Sequence, residues 1–440
     1  MRILLVINKP NREAKIMDSI RRQILLINKD AVVEIKEMCT PEFNKFVFKF
    51  KPNVILTFPF TCIGFSKWYY LFKVFLNSKI ICFRAEGVVD FSSEYNTMWA
   101  VGFDSYGSTL VDYELFWGSK LSEVVGKYLI SQGKLNSKEQ IKVVGYPRLE
   151  SYFNPDDDYT FSFPSRIKNK LNTYRKEKIA LFITGFQLAN YSREDLFNAG
   201  DLDAENRLDY LLESVKMAKE YRSKWIKNII ITANQNRDSL IIVKKHPIEG
   251  RNDYKEFNNI DNILFIYEDF DIDQIMSYAG ILFHYGSTAL VDSYLLGIPS
   301  IYVYSENSLN WYPDLGWPSS GKVHIDNVSQ VVADYFNNKI VFSINSDQKR
   351  VLKEIFNIND NVLYKPSEEI AKIILSKDAI NKVKIYDKYF AKALSQIVFL
   401  FVYFNTVEVM KKNIMGRGAI LFIKKIRSHY LNQAKSIIKN

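Results

Sequence analysis

The sequence predicts an α/β fold in which two Rossmann-like halves face each other across a central cleft. The chain has 440 residues, more than a single hydrophobic core usually supports. In both halves, short β-branched runs alternate with stretches of helical length, a pattern typical of parallel sheets covered by helices. A polar stretch at residues 151–176, which contains two prolines, interrupts this alternation and predicts a linker.

The first predicted domain spans residues 1–150. Its apolar runs predict strands at 2–7, 31–35, 54–58, 79–83 and 141–144, and its longer patterns predict helices at 12–27 and 68–75. Gly145 and Pro147 then predict a turn. The order of strands and helices indicates a parallel sheet.

The second predicted domain spans residues 177–376 and repeats the alternation. Strands are predicted at 179–184, 240–244, 262–267, 280–284 and 300–304, and a long helix at 207–228. Ligands of open α/β sheets bind at the carboxyl ends of the strands. The residues that directly follow each strand are therefore the candidates for a binding site.

The positive charge of the chain is concentrated at its C-terminal end. The whole chain has 59 basic and 49 acidic residues. Residues 377–440 contain 13 of the basic and three of the acidic residues, so the rest of the chain has 46 of each. A neutral body argues against nucleic acid as a partner. The apolar run 397–404 is too short to span a bilayer.

We therefore predict that residues 377–440 form basic amphipathic helices that lie on an anionic membrane surface. The alternative is that these helices pack back on the first domain. The three cysteines have no metal-type spacing, and the N-terminus has no small-residue cleavage site. The expected location is the cytoplasm, on the inner face of the cytoplasmic membrane.

A candidate phosphate site follows the predicted strands of the second domain. Gly286, Ser287 and Thr288 come where a strand turns into a helix, so free backbone N–H groups and two hydroxyls are available to an anion. His246 ends another strand, where Pro247 fixes the turn. The alternative is structural: a helix cap for the hydroxyls and an ordinary turn for the His-Pro pair.

The order of these motifs resembles the C-terminal domain of GT-B glycosyltransferases. The similarity is greatest to enzymes that use CMP-activated acidic sugars, the bacterial sialyltransferases and Kdo transferases. Most of residues 1–310 also resembles the surface carbohydrate biosynthesis proteins, through the segments INKPNRE, RAEGVVD, LVDYELFWG, QGKLNS, VVGYPRLE and HYGSTALVDSYLLGIPS. The resemblance implies a GT-B fold and a nucleotide-sugar-dependent glycosyltransferase of capsule or lipopolysaccharide biosynthesis.

The resemblance also implies roles for particular residues. Glu86 would be the base that activates the acceptor hydroxyl, although Ala85 stands where the family motif usually has a second acid. His246 would act at the leaving group, and the donor would contact a further set of residues: Gly185, Pro247, His284, Gly286, Ser287, Thr288 and Asp292. Asp292 would accept from the ribose hydroxyls. The acceptor would be a glycan or a lipid-linked saccharide.

Two Asp-x-Asp sequences raise the question of a metal ion. They lie at 201–203 and 271–273, and Asp271 is placed to cap the helix that follows it. A CMP-linked donor has a single phosphate, which backbone amides can hold without a cation. We expect neither a metal nor a cofactor, and the nucleotide-linked donor is a substrate.

Three other functions remain open from the sequence. A CDP-glycerol or CDP-ribitol phosphotransferase of the teichoic-acid type would use His246 and His284 as a pair. A sugar-nucleotide epimerase shares the architecture, and a non-catalytic export or chain-length partner would have lost nucleotide binding. Asp112 and Glu114 are weaker candidates for the acceptor pocket, with loop capping as the alternative.

Overall fold

The structure is a computed structural model that describes most of the first 376 residues. The described ranges are 1–8, 10–38, 42–58, 63–84, 110–153, 163–193, 204–246, 249–267, 272–305, 319–343, 346–358 and 364–376. Within them the chain forms two parallel sheets of six strands each. The predicted α/β class, with two Rossmann-like halves, is confirmed.

The first sheet has the strand order β2-β1-β3-β4-β5-β6. Its strands are β1 (Arg2–Ile7), β2 (Val32–Glu37), β3 (Val54–Thr57), β4 (Lys79–Phe83), β5 (Tyr113–Phe116) and β6 (Ile141–Val143). Every described pair of neighbouring strands in it is parallel. The carboxyl ends of these strands therefore share one edge, and their amino ends share the opposite edge.

Helices cover both faces of this sheet. They are α1 (Pro10–Ile27), α2 (Phe43–Phe50), α3 (Ile63–Leu76) and α4 (Ser119–Ser131). Ile3 and Leu5 of β1 belong to the core that includes α1, whereas Leu4 and Val6 belong to the core that includes α2 and α3. Successive side chains of a strand point to opposite faces, so β1 is apolar throughout because both of its faces are buried.

The second sheet has the strand order β12-β11-β10-β7-β8-β9. Its strands are β7 (Ile179–Ile183), β8 (Leu240–Lys244), β9 (Ile263–Ile266), β10 (Ile281–His284), β11 (Ser300–Tyr304) and β12 (Gly321–His324). The helices beside it are α5 (Ser165–Thr173), α6 (Ala204–Gln235), α7 (Ile272–Met276), α8 (Ala289–Leu295) and α9 (Val328–Phe336). Helix α5 lies inside the predicted linker and packs on this sheet through Ile167 and Leu171.

The last described helices return to the first sheet. Helix α10 (Ser346–Phe356) lies beside α4, and helix α11 (Pro366–Leu375) lies beside α1. The Tyr364 hydroxyl accepts a hydrogen bond from the backbone N–H of Tyr146 and donates to the carbonyl of Phe356. Residues 346–376, predicted as the end of the second domain, thus pack on the first.

No helix among the described residues is long and apolar enough to span a membrane. The basic segment 377–440 lies outside the described residues, and so does its predicted contact with a membrane surface.

Candidate donor-binding site

The sheet order brings three polar loops to one edge of the second domain. Strand β7 pairs with β8 on one side and with β10 on the other, all in parallel. The residues that follow these strands, Gly185, His246 and Gly286, are therefore neighbours at the carboxyl edge. All three are partly exposed, although the strands beneath them are fully buried.

Glu249 ties the loops after β7 and β8 together. Its carboxylate accepts hydrogen bonds from the Thr184 hydroxyl and the Phe186 backbone N–H in one loop, and from the His246 backbone N–H, at 2.9 Å, in the other. The side chain is buried. Burial raises the pKa of the Glu249 carboxyl, and the hydrogen bonds from Thr184, His246 and Phe186 oppose that shift.

Aromatic packing joins the loops after β7 and β10. The ring of Tyr285 stacks on that of Phe186, with 5.7 Å between centroids, and lies 4.5 Å from that of Tyr221 in helix α6. A methyl group built on Gly185 would have the carbonyl oxygen of Tyr285 as its nearest neighbour, at 3.9 Å. The loops after β7 and β10 thus approach each other closely at Gly185.

The Gly286-Ser287-Thr288 turn connects strand β10 to helix α8. Gly286 has a φ of 59°, a left-handed conformation that glycine adopts without steric cost. The Ser287 hydroxyl accepts a hydrogen bond of 3.2 Å from the Ala289 N–H, which begins helix α8. The N-cap residue of α8 is Thr288, whose side chain makes no capping hydrogen bond, and the Ser287 N–H donates to His284. Ser287 and Thr288 also remain partly exposed at the sheet edge.

His284 lies beneath the turn rather than in it. Its imidazole is fully buried, with Nε2 at 3.2 Å from the Ser319 hydroxyl and Nδ1 accepting a 3.4 Å hydrogen bond from the Ser287 N–H. Burial lowers the pKa of His284 to about 3, so the ring is neutral at physiological pH. The sequence placed this side chain in contact with the donor, but its burial gives it a supporting position instead.

Two lysines add positive charge to the loop after β8. The side chains of Lys244 and Lys245 are both largely buried. The Lys245 ammonium group lies 3.3 Å from the carbonyl of His246, and that of Lys244 lies 3.4 Å from the carbonyl of Lys245. The charged groups therefore stay close to the strand end, where an anion would approach.

Asp292 joins the two domains. Its carboxylate is fully buried and accepts hydrogen bonds from the Arg148 guanidinium and the Tyr152 hydroxyl, each at 2.7 Å. Arg148 and Tyr152 belong to the turn of helix Pro147–Tyr152 that follows the first sheet. The sequence suggested a contact between Asp292 and ribose hydroxyls, and the structure gives both carboxylate oxygens protein partners.

The acidic candidates of the first domain form buried ion pairs. Glu114 pairs with Arg84 at 3.0 Å, and Asp112 pairs with Lys73 at 2.6 Å. All four side chains are buried, so Asp112 and Glu114 lie inside the domain and are not exposed to a ligand. Glu86, the predicted base, lies outside the described residues.

The predicted contact at Pro247 also lies outside the described residues. Within the ranges that the structure describes, no group of three His, Cys, Asp or Glu side chains is arranged to hold a metal ion. Both Asp-x-Asp sequences lie wholly or partly outside those ranges.

Sequence reasoning missed three residues that organise this site: Glu249, Arg148 and Tyr152. Glu249 follows His246 by three residues, a spacing that lets a side chain close a turn on a backbone N–H. The backbone N–H of Glu249 in turn donates to the carbonyl of His246 at 3.0 Å. The three-residue spacing could therefore have indicated the role of Glu249. The role of Arg148 could not be found in this way, because its partner Asp292 lies 144 residues away.

Comparison with known proteins gives a match to solved structures only. No family model and no curated protein sequence matches the chain. UDP-GlcNAc 2-epimerase from Neisseria meningitidis, bound to UDP-GlcNAc, superposes with a TM-score of 0.53 at 10% identity, over 85% of this chain and 100% of that one. The enzyme of the same name from Methanocaldococcus jannaschii, in complex with UDP-GlcNAc and UDP, gives 0.50 at 14% identity, over 85% and 99%.

The wall teichoic acid polymerase TagF is a weaker match, with a TM-score of 0.47 at 12% identity, over 85% of this chain and 87% of that one. Identities this low are informative about architecture alone. Together with the two six-stranded parallel sheets, the similarity to the epimerases establishes that this chain has the GT-B fold.

Proposed function

We propose that the chain is a transferase that takes a nucleotide-linked sugar and passes the sugar to a glycan or lipid-linked acceptor in surface polysaccharide assembly. The observation that carries the proposal is the convergence of three polar, partly exposed loops at the carboxyl ends of β7, β8 and β10. This edge is where open α/β sheets bind their ligands.

The chemistry of these loops suits a phosphate. Gly185 and Gly286 have no side chain, so an anion can approach the backbone closely. Ser287 and Thr288 contribute hydroxyls, and Lys245 contributes positive charge from below. When the bond between the sugar and the nucleotide breaks, negative charge grows on the leaving phosphate. Hydrogen-bond donors that are already held at this position would therefore stabilise the transition state. His246 would stabilise or protonate the leaving group.

Glu249 prepares this arrangement without touching the donor. Its carboxylate accepts hydrogen bonds from Thr184, Phe186 and His246, and these bonds hold the loops after β7 and β8 in place. A loop that is already ordered loses little entropy when it binds. Glu249 and His284 are thus positioning residues, one on each side of β7.

The acceptor side of the proposal rests on Glu86. In the sequence it follows β4 by three residues, and β4 ends at the edge that carries the carboxyl ends of the first sheet. The neighbouring Arg84 is anchored in the core, since it pairs with Glu114 and its carbonyl accepts a 2.7 Å hydrogen bond from the Trp117 indole. A fixed strand end would hold Glu86 near the acceptor hydroxyl.

The finer identity of the donor rests on the sequence resemblance alone. The motif order implies a CMP-activated acidic sugar, Kdo or another nonulosonic acid. The second candidate is transfer of a phospho-polyol from CDP-glycerol or CDP-ribitol. His246 supports it, because this imidazole is partly exposed at the site. The buried His284 would not act beside it as the second histidine.

A calorimetric titration of the full chain with CMP, CDP, UDP and GDP tests the proposal. We expect micromolar to millimolar binding of at least one nucleotide, weakened at least tenfold in His246→Ala and Ser287→Ala. Ser131→Ala and His324→Ala are matched controls outside the three loops and should bind as the wild type does.

The nucleotide that binds best decides among the candidates. A preference for CMP supports the acidic-sugar donor, and a preference for CDP supports the phosphotransferase. A preference for UDP favours another sugar donor, and incubation with UDP-GlcNAc then separates transfer from epimerisation by the product formed. If no nucleotide binds, or if the loop variants bind as tightly as the wild type, the proposed donor site is wrong.

A further inference from the structure

A cluster of exposed apolar side chains lies at one end of the first domain. Leu26, Ile27 and Val32 expose 70%, 48% and 51% of their surface, and Met1 and Leu25 are exposed as well. Most large apolar side chains of the described residues are buried, so a local concentration of exposed ones marks an interaction surface.

The topology explains why these residues meet. Helix α1 connects two parallel strands, so it runs antiparallel to them and ends at their amino ends. Leu26 and Ile27 form its last turn, and Val32 begins β2. The backbone N–H of Val32 donates to the carbonyl of Met1, which precedes β1, at 2.9 Å. We call this surface the amino edge of the first sheet.

Basic residues border the apolar cluster. Arg2, Lys29 and Lys51 are exposed at the starts of strands or in the connections that lead into them, and Lys49 is exposed in the last turn of α2. Asp30 is the exposed acid of these connections. The edge therefore combines apolar side chains with net positive charge, the composition of surfaces that bind anionic membranes.

The last described residue before the basic C-terminal segment lies at the amino ends of the strands of the first sheet. Ser19 of α1 and Ser367 of α11 are in contact, with 2.9 Å between their hydroxyl oxygens. The end of α11 lies at the start of β4, because the Lys79 ammonium group donates to the Ser376 hydroxyl at 2.8 Å. Ser376, the last described residue, therefore lies at the amino ends of the strands, and 64 residues with 13 basic and three acidic side chains follow it in the sequence.

We propose that the amino edge of the first sheet binds an anionic lipid bilayer. The apolar side chains of α1 and β2 enter the interface, and the basic residues around them contact lipid phosphates. The folded body would then contribute to membrane binding together with residues 377–440. This proposal is independent of the donor and holds whichever nucleotide the second domain binds.

Co-sedimentation of the full chain with vesicles tests the proposal. The vesicles are 100 nm across and contain either phosphatidylcholine alone or equal parts of phosphatidylcholine and phosphatidylglycerol. The test variant carries Leu26→Glu and Ile27→Glu, and the matched control is Val341→Glu, an 87% exposed residue of the second domain. We expect the wild type and the control to bind the anionic vesicles, and the test variant to partition at least tenfold less.

Four results would overturn the proposal. The first is that the wild type does not bind anionic vesicles, and the second is that the test variant binds them as well as the wild type does. The third is that the test variant is a monomer by light scattering where the wild type is a dimer, which would make the edge an interface between two copies. The fourth is that the test variant, unlike the control, melts more than about 5 °C below the wild type, which would mean that the chain itself covers the edge.

Discussion

The Asp292 carboxylate lies 2.7 Å from the Arg148 guanidinium, and the two residues belong to different domains. Asp292 is in helix α8, which begins directly after the Gly286-Ser287-Thr288 turn. Arg148 follows the last strand of the first sheet. The ion pair therefore links the proposed donor loop to the first domain.

Asp292→Asn tests this link. The substitution keeps the shape but leaves Arg148 without a carboxylate, and Arg148 is only 26% exposed. We expect a loss of about 2–3 kcal/mol in the free energy of unfolding, measured by urea denaturation. Tyr152→Phe keeps the ion pair and removes one hydrogen bond, so it should cost about 1 kcal/mol. Equal stability of Asp292→Asn and the wild type would show that the pair contributes nothing.

Glu249→Gln tests the connection between the loops after β7 and β8. The amide has only one acceptor oxygen, so its NH2 group faces either the Phe186 N–H or the His246 N–H, and both of these already donate. We expect a loss of about 2 kcal/mol in stability and at least tenfold weaker nucleotide binding. Glu256→Gln changes an exposed residue nearby and should alter neither. Normal nucleotide affinity in Glu249→Gln would refute the positioning role.

His284 should make the fold sensitive to acid. Its folded pKa, about 3, lies below the ordinary value of 6.5, because burial disfavours the charged ring. The stability that the neutral ring provides is present above pH 6.5 and is lost as the pH falls toward 3. Below pH 6.5 the wild type should lose about 1.4 kcal/mol per pH unit relative to His284→Asn.

Urea denaturation of both proteins at pH 7.5, 6.5 and 5.5 measures that difference. Ser319→Ala retains the imidazole and removes only the hydroxyl beside Nε2. The acid sensitivity of this variant should therefore resemble that of the wild type. A constant difference between wild type and His284→Asn across this range would contradict the burial of His284.

Gly185→Ala separates binding from stability. Among the described residues the added methyl group meets no atom closer than 3.9 Å, so we expect the free energy of unfolding to change by less than about 0.5 kcal/mol. The methyl group would occupy the space through which a phosphate reaches the backbone, and nucleotide binding should weaken at least tenfold.

Gly297→Ala is the opposite case. Gly297 has a φ of 67° and is exposed away from the loops, so alanine there should cost about 1 kcal/mol and leave affinity unchanged. Titration calorimetry and thermal unfolding of both variants measure these effects. If Gly185→Ala binds nucleotide normally, the loop after β7 does not face the donor.

The buried strands were predictable because their sequences are continuously apolar. The bounds predicted for β1, β4, β8 and β11 agree with the structure. Strand β5 was missed because Glu114 interrupts its apolar pattern, and the charge is tolerated there only through the pair with Arg84. Whether a strand can contain a buried charge depends on a partner that is distant in the sequence, and the local hydrophobic pattern gives no information about that partner.

The candidate site was predictable where it depends on local sequence. A strand followed by Gly286-Ser287-Thr288, or by His246, indicates a strand-end loop without further information. The burial of His284 and the partners of Asp292 depend on contacts with Ser319 and Arg148, which only the folded chain brings together. The same holds for helices α10 and α11, whose amphipathic patterns do not specify which sheet they cover.

Hydrogen–deuterium exchange of the full chain, with and without the best-binding nucleotide, tests the central claim most directly. Bound nucleotide would cover the loops after β7, β8 and β10 and stabilise their closed hydrogen-bonded state, which slows the exchange of their backbone N–H groups. We expect protection in those three loops together, and loss of that protection in Ser287→Ala. Protection confined to the first domain, or none in the three loops at saturating nucleotide, would contradict the assignment of the donor site.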